Sequence, residues 1–322
     1  MEHHLGNLRT VDGRPVLRFE RELAHPPEKV WKAVTDPAEL AHWFPANIES
    51  EPAIGAAMRF SFGDDALDGG GQYAHGEVLE FDPPKVFAFR WVDDVLCFEI
   101  IADGAGCRLV FTYTMGGTDT TNDRPSVART GPGWDICLAF LAARLDGGPA
   151  PQPDDAWFLD RAERYVEEFG LGEGELRDAR DGYLVRFERD LTQSVEQVWA
   201  VLIDGRQPVT GEEPPLRFTH GYFDAGAVTT SDAPHALEYV WIRGGSTAGH
   251  VRFELNRQQP LGCRLVVTQA LPAESAELVP TALAAWQTHL ELLFATLNGT
   301  ARCWPADRTD QLAAMYAGRL EP

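Results

Sequence analysis

Two hydrophobic rhythms alternate along this chain. From Val16 to Leu23 apolar and charged residues alternate with the period of two that a half-buried strand requires. A short helix is predicted next. Pro27 stands where a helix starts, and much later Ser194 and Gln197 form a Ser-x-x-Gln capping box in the same context. Alternation returns over Met58–Phe62, Tyr73–Phe81, Val86–Trp91, Leu96–Ile100 and Arg108–Met115, separated by turn residues such as Asp82-Pro83-Pro84 and Asp103-Gly104-Ala105-Gly106. Then the period lengthens. Trp134, Leu138, Leu141 and Leu145 share one face of a long amphipathic helix, and Gly147 follows as its C-terminal cap. Antiparallel strands closed by one long helix make an α+β layout, with the helix lying across one sheet face. Strand parity places Phe60, Phe62, Phe87, Phe89, Trp91, Leu96, Phe98, Ile100, Leu109, Phe111 and Tyr113 on that face.

The whole pattern recurs. Arg18-Phe19-Glu20-Arg21-Glu22-Leu23 returns as Arg186-Phe187-Glu188-Arg189-Asp190-Leu191, and Val30-Trp31 as Val198-Trp199. Arg59-Phe60 is matched with Arg217-Phe218, Trp91 with Trp241, and Gly106-Cys107-Arg108-Leu109-Val110 with Gly262-Cys263-Arg264-Leu265-Val266. Trp134, Leu138, Leu145 and Gly147 correspond to Trp286, Leu290, Leu297 and Gly299. So many blocks in one order mark a tandem of one fold. Trp157 to Phe169 has helical character, with Arg161, Tyr165 and Phe169 at four-residue steps, and Trp304, Leu312 and Tyr316 repeat the theme at the C-terminus. Each copy is therefore expected to end in a helix packed on its own domain. The join falls in Gly170-Leu171-Gly172-Glu173-Gly174, giving domains 1–172 and 173–322.

Composition agrees with two domains, since 322 residues at roughly 150 per domain give that prior. Hydrophobic residues are 44% and charged residues 24%, which supplies apolar material for two cores. Lys+Arg of 28 against Asp+Glu of 49 leaves a net charge of −21, so phosphate backbones and anionic membranes are repelled. No apolar run approaches the ~20 residues of a bilayer span. The N-terminus shows no basic segment followed by an apolar one, and a cytoplasmic protein is expected. The five cysteines form no CxxC pair and read as reduced thiols. No metal or cofactor is expected. No His/Cys/Asp/Glu group has ligand spacing, and phosphate-binding glycine motifs and a GxSxG elbow are missing from the sequence.

Pro26-Pro27-Glu28-Lys29-Val30-Trp31, Asp36-Pro37, His42-Trp43-Phe44, Gly55, Asp82-Pro83-Pro84, Phe89-x-Trp91 and Gly133-Trp134-x-x-x-Leu138-x-x-Leu141 follow one another in order. Together they resemble the domain family named after the activator of heat-shock-protein-ninety ATPase. That family belongs to the START/polyketide-cyclase-like (SRPBCC) superfamily. The resemblance covers nearly all of residues 16–147 and implies two tandem helix-grip domains, each a curved antiparallel sheet wrapped around a long C-terminal helix. The second copy departs from the pattern. Gly205 to Pro215 replaces the Trp43-Phe44 loop and its glycine turn, which puts its pocket mouth in doubt.

The resemblance implies an apolar or aromatic small molecule held between sheet and long helix, mainly in the first domain. The expected lining is Trp43, Phe44, Phe60, Tyr73, His75, Glu77, Phe89, Trp91, Phe98, Tyr113, Trp134 and Leu138. Tyr73, His75 and Glu77 enter because they share parity with Leu79 and Phe81. The competing reading is that the aromatics fill a core and the Tyr113 hydroxyl finds a backbone partner. His75 and Glu77 lie about 6.5–7 Å apart along a strand, beyond direct hydrogen-bond reach, so a half-exposed polar strand is the plain alternative to a general base and its orienting carboxylate. Two further functions stay open. One is a cyclase-, aromatase- or hydrolase-like enzyme using Tyr113, His75 or Glu77. The other is a co-chaperone-like interaction module. The partners expected are the small molecule and the two domains of the chain packed together, with no nucleic acid and no membrane.

Overall fold

A computed structural model describes residues 4–62, 74–116, 123–258, 262–300 and 302–320. The chain divides into two compact units, Met1–Phe169 and Gly170–Pro322. The division falls where a helix ending at Glu168 gives way to Gly170 at φ +60°, so Gly170, Leu171 and Gly172 go with the second unit.

In the first unit a hairpin, β1 (Asn7–Val11) and β2 (Arg14–Leu23), leads into α1 (Pro27–Thr35) and α2 (Pro37–Leu40). Six strands follow: β3 (Asn47–Ser50), β4 (Ala57–Ser61), β5 (Ala74–Asp82), β6 (Val86–Trp91), β7 (Asp94–Asp103) and β8 (Gly106–Thr114). The long helix α3 (Val127–Asp146) and the terminal helix α4 (Asp155–Glu168) close the unit. The strands form one antiparallel curved sheet in the order β1-β2-β8-β7-β6-β5-β4-β3. Three elements lie beyond the sequence reading, the short strands β1 and β3 and the helix α2. The first announces itself only through the Asp12-Gly13 turn, where both residues adopt the positive φ of a tight hairpin.

The second unit repeats this plan with β9 (Glu175–Ala179), β10 (Gly182–Leu191), α5 (Val195–Ile203), β11 (Asp224–Asp232), β12 (Ala236–Arg243), β13 (Ser246–Arg257), β14 (Cys263–Pro272), α6 (Val279–Leu297) and α7 (Arg308–Leu320). Its sheet has six strands, β11-β12-β13-β14-β10-β9. The Ser194–Gln197 capping box is present in full. Among the described residues nothing corresponds to β3 and β4. The matching of Arg59-Phe60 with Arg217-Phe218 is therefore corrected: Phe60 sits on a strand, while Phe218 ends a 3₁₀ turn, Leu216–Phe218, where it packs edge-on against Trp199.

The terminal helices are tied down by the same device in both units. In the first, the Tyr165 hydroxyl accepts the Gly6 amide at 2.8 Å and donates to Asp135 Oδ2 at 2.9 Å. Arg161 and Arg21 donate to the same carboxylate at 2.8 and 2.7 Å, and Asp135 is only 4% exposed. In the second, the Tyr316 hydroxyl accepts the Gly174 amide at 2.9 Å and donates to Gln287 Oε1 at 2.6 Å. Gln287 stands in the place of Asp135, next to the matched Trp286, and Leu312 stands in the place of Arg161. Removing the anion and one cation together avoids burying an unpaired charge. The remaining cation, Arg189, lies over the Phe294 ring at 3.8 Å. Glycine is required at the strap, because a Cβ on Gly6 or Gly174 would stand 2.5 or 2.3 Å from the ring of Phe19 or Phe187.

Asp135→Asn, which leaves Arg21 and Arg161 buried without their counter-charge, is expected to destabilise the first unit by about 3–5 kcal/mol. Combining Asp135→Gln with Arg161→Leu, the arrangement of the second unit, is expected to restore more than half of that loss. Amide exchange of α4 in the full-length protein reads both outcomes.

Candidate functional site

Nine of the twelve expected site residues assemble, but into a packed interior. Trp134 on α3 meets Phe111 at 4.7 Å, Tyr113 at 5.5 Å and Phe44 at 5.7 Å between ring centroids. Phe98 stacks on Phe111 at 4.6 Å, and Phe60 stacks on Trp91 at 5.1 Å. Phe89 touches Phe44, Phe60 and Phe98, while Trp43 lies edge-on to Phe98 and donates its indole N–H to the Ala33 carbonyl. Leu138 is buried beside them. Rings at these separations are in contact, so the set forms the core that joins sheet to helix. Phe62, expected inside, is exposed at the strand end, where it stacks on Trp91.

The Tyr113 hydroxyl finds a carboxylate rather than a backbone partner, donating to Asp94 Oδ2 at 2.5 Å. Asp94 Oδ1 accepts the Gly116 amide at 2.7 Å. Burial raises the Asp94 carboxyl above its ordinary value, against the opposing pull of these two hydrogen bonds. Burial, followed by the adjacent Asp94 charge, pushes the Tyr113 phenol well above its own.

His75 and Glu77 do not belong to the interior; both are exposed. Their inward placement rested on parity with Phe81, and the β5–β6 register shifts between Val78 and Glu80. That bulge adds a residue, so Val78 opposite Phe89 and Phe81 opposite Phe87 both face the core, and the residues before the bulge change sides. Tyr73 lies outside the described residues. His42 is exposed beside the buried Trp43.

Open space occurs elsewhere in the first unit. A cleft of about 350 Å³ is bounded by α1, α2 and strands β3 to β6. Its geometry follows from Asp36-Pro37. The residue before a proline is driven from helical geometry, so α1 stops with Asp36 extended (φ −78°, ψ 119°). The Asp36 carboxylate then caps α2 by accepting the Ala38 amide at 2.9 Å, and Pro37 takes the first helical position. Val30, Ala33 and Val34 bury one face of α1, leaving Trp31 on its flank. Trp31 and Thr35 line the cleft from α1, and Pro37 and Leu40 from α2. The sheet contributes Ile48, Ser50, Met58, Phe81 and Phe87, with Glu51 and Pro52 at the end of β3. Trp31 meets Phe81 and Phe87 edge-on at 5.2 and 6.4 Å. The sequence marks Trp31 and Phe87 as motif and core residues. Only the wedge between α1 and α2 shows that they border a space.

The second unit holds two buried histidines with no counterpart in the first. His220 lies 4.5 Å from Trp286, perpendicular to it, and its Nδ1 accepts the Tyr222 amide at 3.0 Å. His289 Nε2 donates to the Arg217 carbonyl at 2.9 Å, and Cys137 takes its place in the first unit. Burial lowers His220 to about 3, with the neighbouring His289 adding to the effect. Burial also lowers His289 to about 4, against its bond to Arg217. Among the described residues no group of three or more His, Cys, Asp or Glu is placed to hold a metal. None of the described helices is long and apolar enough to cross a membrane.

A curved antiparallel sheet with a long C-terminal helix, present twice, is a tandem helix-grip layout. Residues 24–146 match the family described as Activator of Hsp90 ATPase homolog 1-like protein. Similar solved structures include the protein encoded by gene BPP1335 of Bordetella parapertussis, at 27% identity. That likeness covers 50% of this chain and 90% of that one, with a TM-score of 0.40. CalU16 of Micromonospora echinospora is 21% identical over 52% of this chain and 96% of its own, with a TM-score of 0.39. DynU16, a putative protein in the dynemicin biosynthetic locus, is 19% identical over 88% of this chain and 98% of its own, with a TM-score of 0.37. No curated protein matches the chain.

Both buried histidines are held neutral, so below the ordinary value near 6.5 the unfolded chain binds protons that the folded unit refuses. The stability of the second unit is expected to fall as pH drops from about 6.5 towards 4, by on the order of a few kcal/mol per histidine. Urea midpoints against pH check this, and His289→Gln is expected to flatten the slope.

Proposed function

We propose that the first unit binds an apolar or aromatic small molecule in the cleft between α1–α2 and β3–β6. The observation that carries this reading is the cleft itself: about 350 Å³, walled by Trp31, Phe81, Phe87, Met58, Leu40 and Ile48. That volume falls within the range of about 300–1,000 Å³ typical of small-molecule sites, and a mainly apolar wall with a few polar groups is their usual chemistry. The match of residues 24–146 to that family supports the same reading. The packed rings under α3 move the proposed seat away from the long helix and towards the short ones. The enzymatic alternative loses two of its three acid/base candidates with His75 and Glu77 exposed, and its third, Tyr113, is already committed to Asp94.

The test uses N-phenyl-1-naphthylamine, an uncharged fluorophore at neutral pH, titrated into the full chain. Binding is expected to weaken about tenfold or more in Ser50→Trp and in Thr35→Phe, each of which fills the cleft from a half-buried position. His75→Ala and Glu77→Ala are expected to leave it unchanged. Unaltered affinity in both filled variants would remove the cleft as the seat of binding.

A further inference from the structure

The polar groups of this cleft share one property: they accept hydrogen bonds and offer almost none. Asp36 and Glu51 are its two ionisable residues, and the lining contains no Lys, Arg or His. Neither carboxylate has an ion-pair partner among the described residues; Asp36 makes only its cap bond to the Ala38 amide. The two hydroxyls have already spent their protons. Thr35 Oγ1 donates to the Trp31 carbonyl at 2.8 Å, and Ser50 Oγ donates to the Glu51 carbonyl at 3.1 Å. Their lone pairs remain. Pro37 and Pro52, also in the lining, have no amide proton to give. The Trp31 indole N–H is thus the one side-chain donor of the lining not spent on the main chain, and its ring, with Phe81, supplies an electron-rich wall.

We propose that the cleft selects an organic ammonium, a protonated amine carried on an apolar or aromatic body, over neutral and anionic molecules of the same shape. This rests on the binding reading above and adds to it the charge of the ligand. An ammonium brings the N–H donors that the rim lacks and the positive charge that two unpaired carboxylates favour, and it can lie against the aromatic wall. A carboxylate or phosphate would meet Asp36 and Glu51 with no cation and only the Trp31 indole N–H to offset the repulsion. The chain's net charge of −21 acts in the same direction, concentrating cations near the surface.

The experiment compares three ligands with one ring system: 1-naphthylmethylammonium, 1-naphthalenemethanol and 1-naphthoate. Each is titrated calorimetrically into the full-length protein at low ionic strength. The ammonium is expected to bind roughly tenfold tighter than the alcohol, and the naphthoate more weakly than either. Raising the salt to about 0.5 M is expected to shrink the difference. The double variant Asp36→Asn/Glu51→Gln, in which Asn keeps the α2 cap, is expected to bring the ammonium down to the alcohol's affinity and leave the alcohol unchanged. If the ammonium binds no tighter than the alcohol, or keeps its advantage in the double variant, the charge preference is overturned. The binding reading then still stands, provided the alcohol is lost in Ser50→Trp. If none of the three binds, both inferences fall together.

Discussion

The first unit depends on the contact between the Trp134 indole and the sheet. Its ring meets Phe111, Tyr113 and Phe44 at once, and through them the stack of Phe98, Phe89, Phe60 and Trp91. A large ring with many neighbours fixes the distance between α3 and the strands, because dispersion and burial both favour filling the gap with atoms. That choice has a consequence for function. With the space under the long helix taken by the protein's own rings, the open volume lies under α1 and α2, where Asp36-Pro37 prevents the helix from continuing and sealing the sheet.

Duplication shows which features the fold needs and which it can trade. Both units keep the tryptophan on the long helix, the tyrosine on the terminal helix and the glycine whose amide that tyrosine accepts. They differ in how the buried side of the tyrosine is satisfied. The first uses a carboxylate with two arginines, the second a neutral amide and a leucine. Each solution is complete in itself, as a low-dielectric interior demands, since a half-converted network would strand a charge. Among the described residues the second unit also lacks β3 and β4, the strands that border the cleft in the first. There Phe218 of the 3₁₀ turn packs against Trp199, the counterpart of Trp31, and the two neutral histidines pack on Trp286.

The fold was legible because its signals are periodic and repeated. Strand alternation, the Trp134–Leu145 stripe and the recurrence of both in the second half need no knowledge of neighbours. The short strands β1 and β3 were not legible, being too short or too polar to alternate clearly. His75 and Glu77 were misplaced for a single local reason. Parity counts residues evenly, and the bulge between Val78 and Glu80 breaks the count without leaving a glycine or proline to mark it. Arg217-Phe218 was aligned with Arg59-Phe60 because two residue types agreed, although one pair lies in a turn and the other in a strand.

The sequence by itself determined the α+β class, the duplication, the aromatic face of the sheet and the helix that covers it. Each follows from side-chain period and chemistry along a continuous stretch of chain. Only the tertiary structure decided that those aromatics touch one another, that Tyr113 is bound to Asp94, and that the cleft lies beside Trp31. The physical reason is common to all three. Whether a set of inward residues encloses a space or fills it depends on the angle and spacing of elements brought together from distant parts of the chain, and a hydrophobic pattern records the direction of a side chain without recording what it meets.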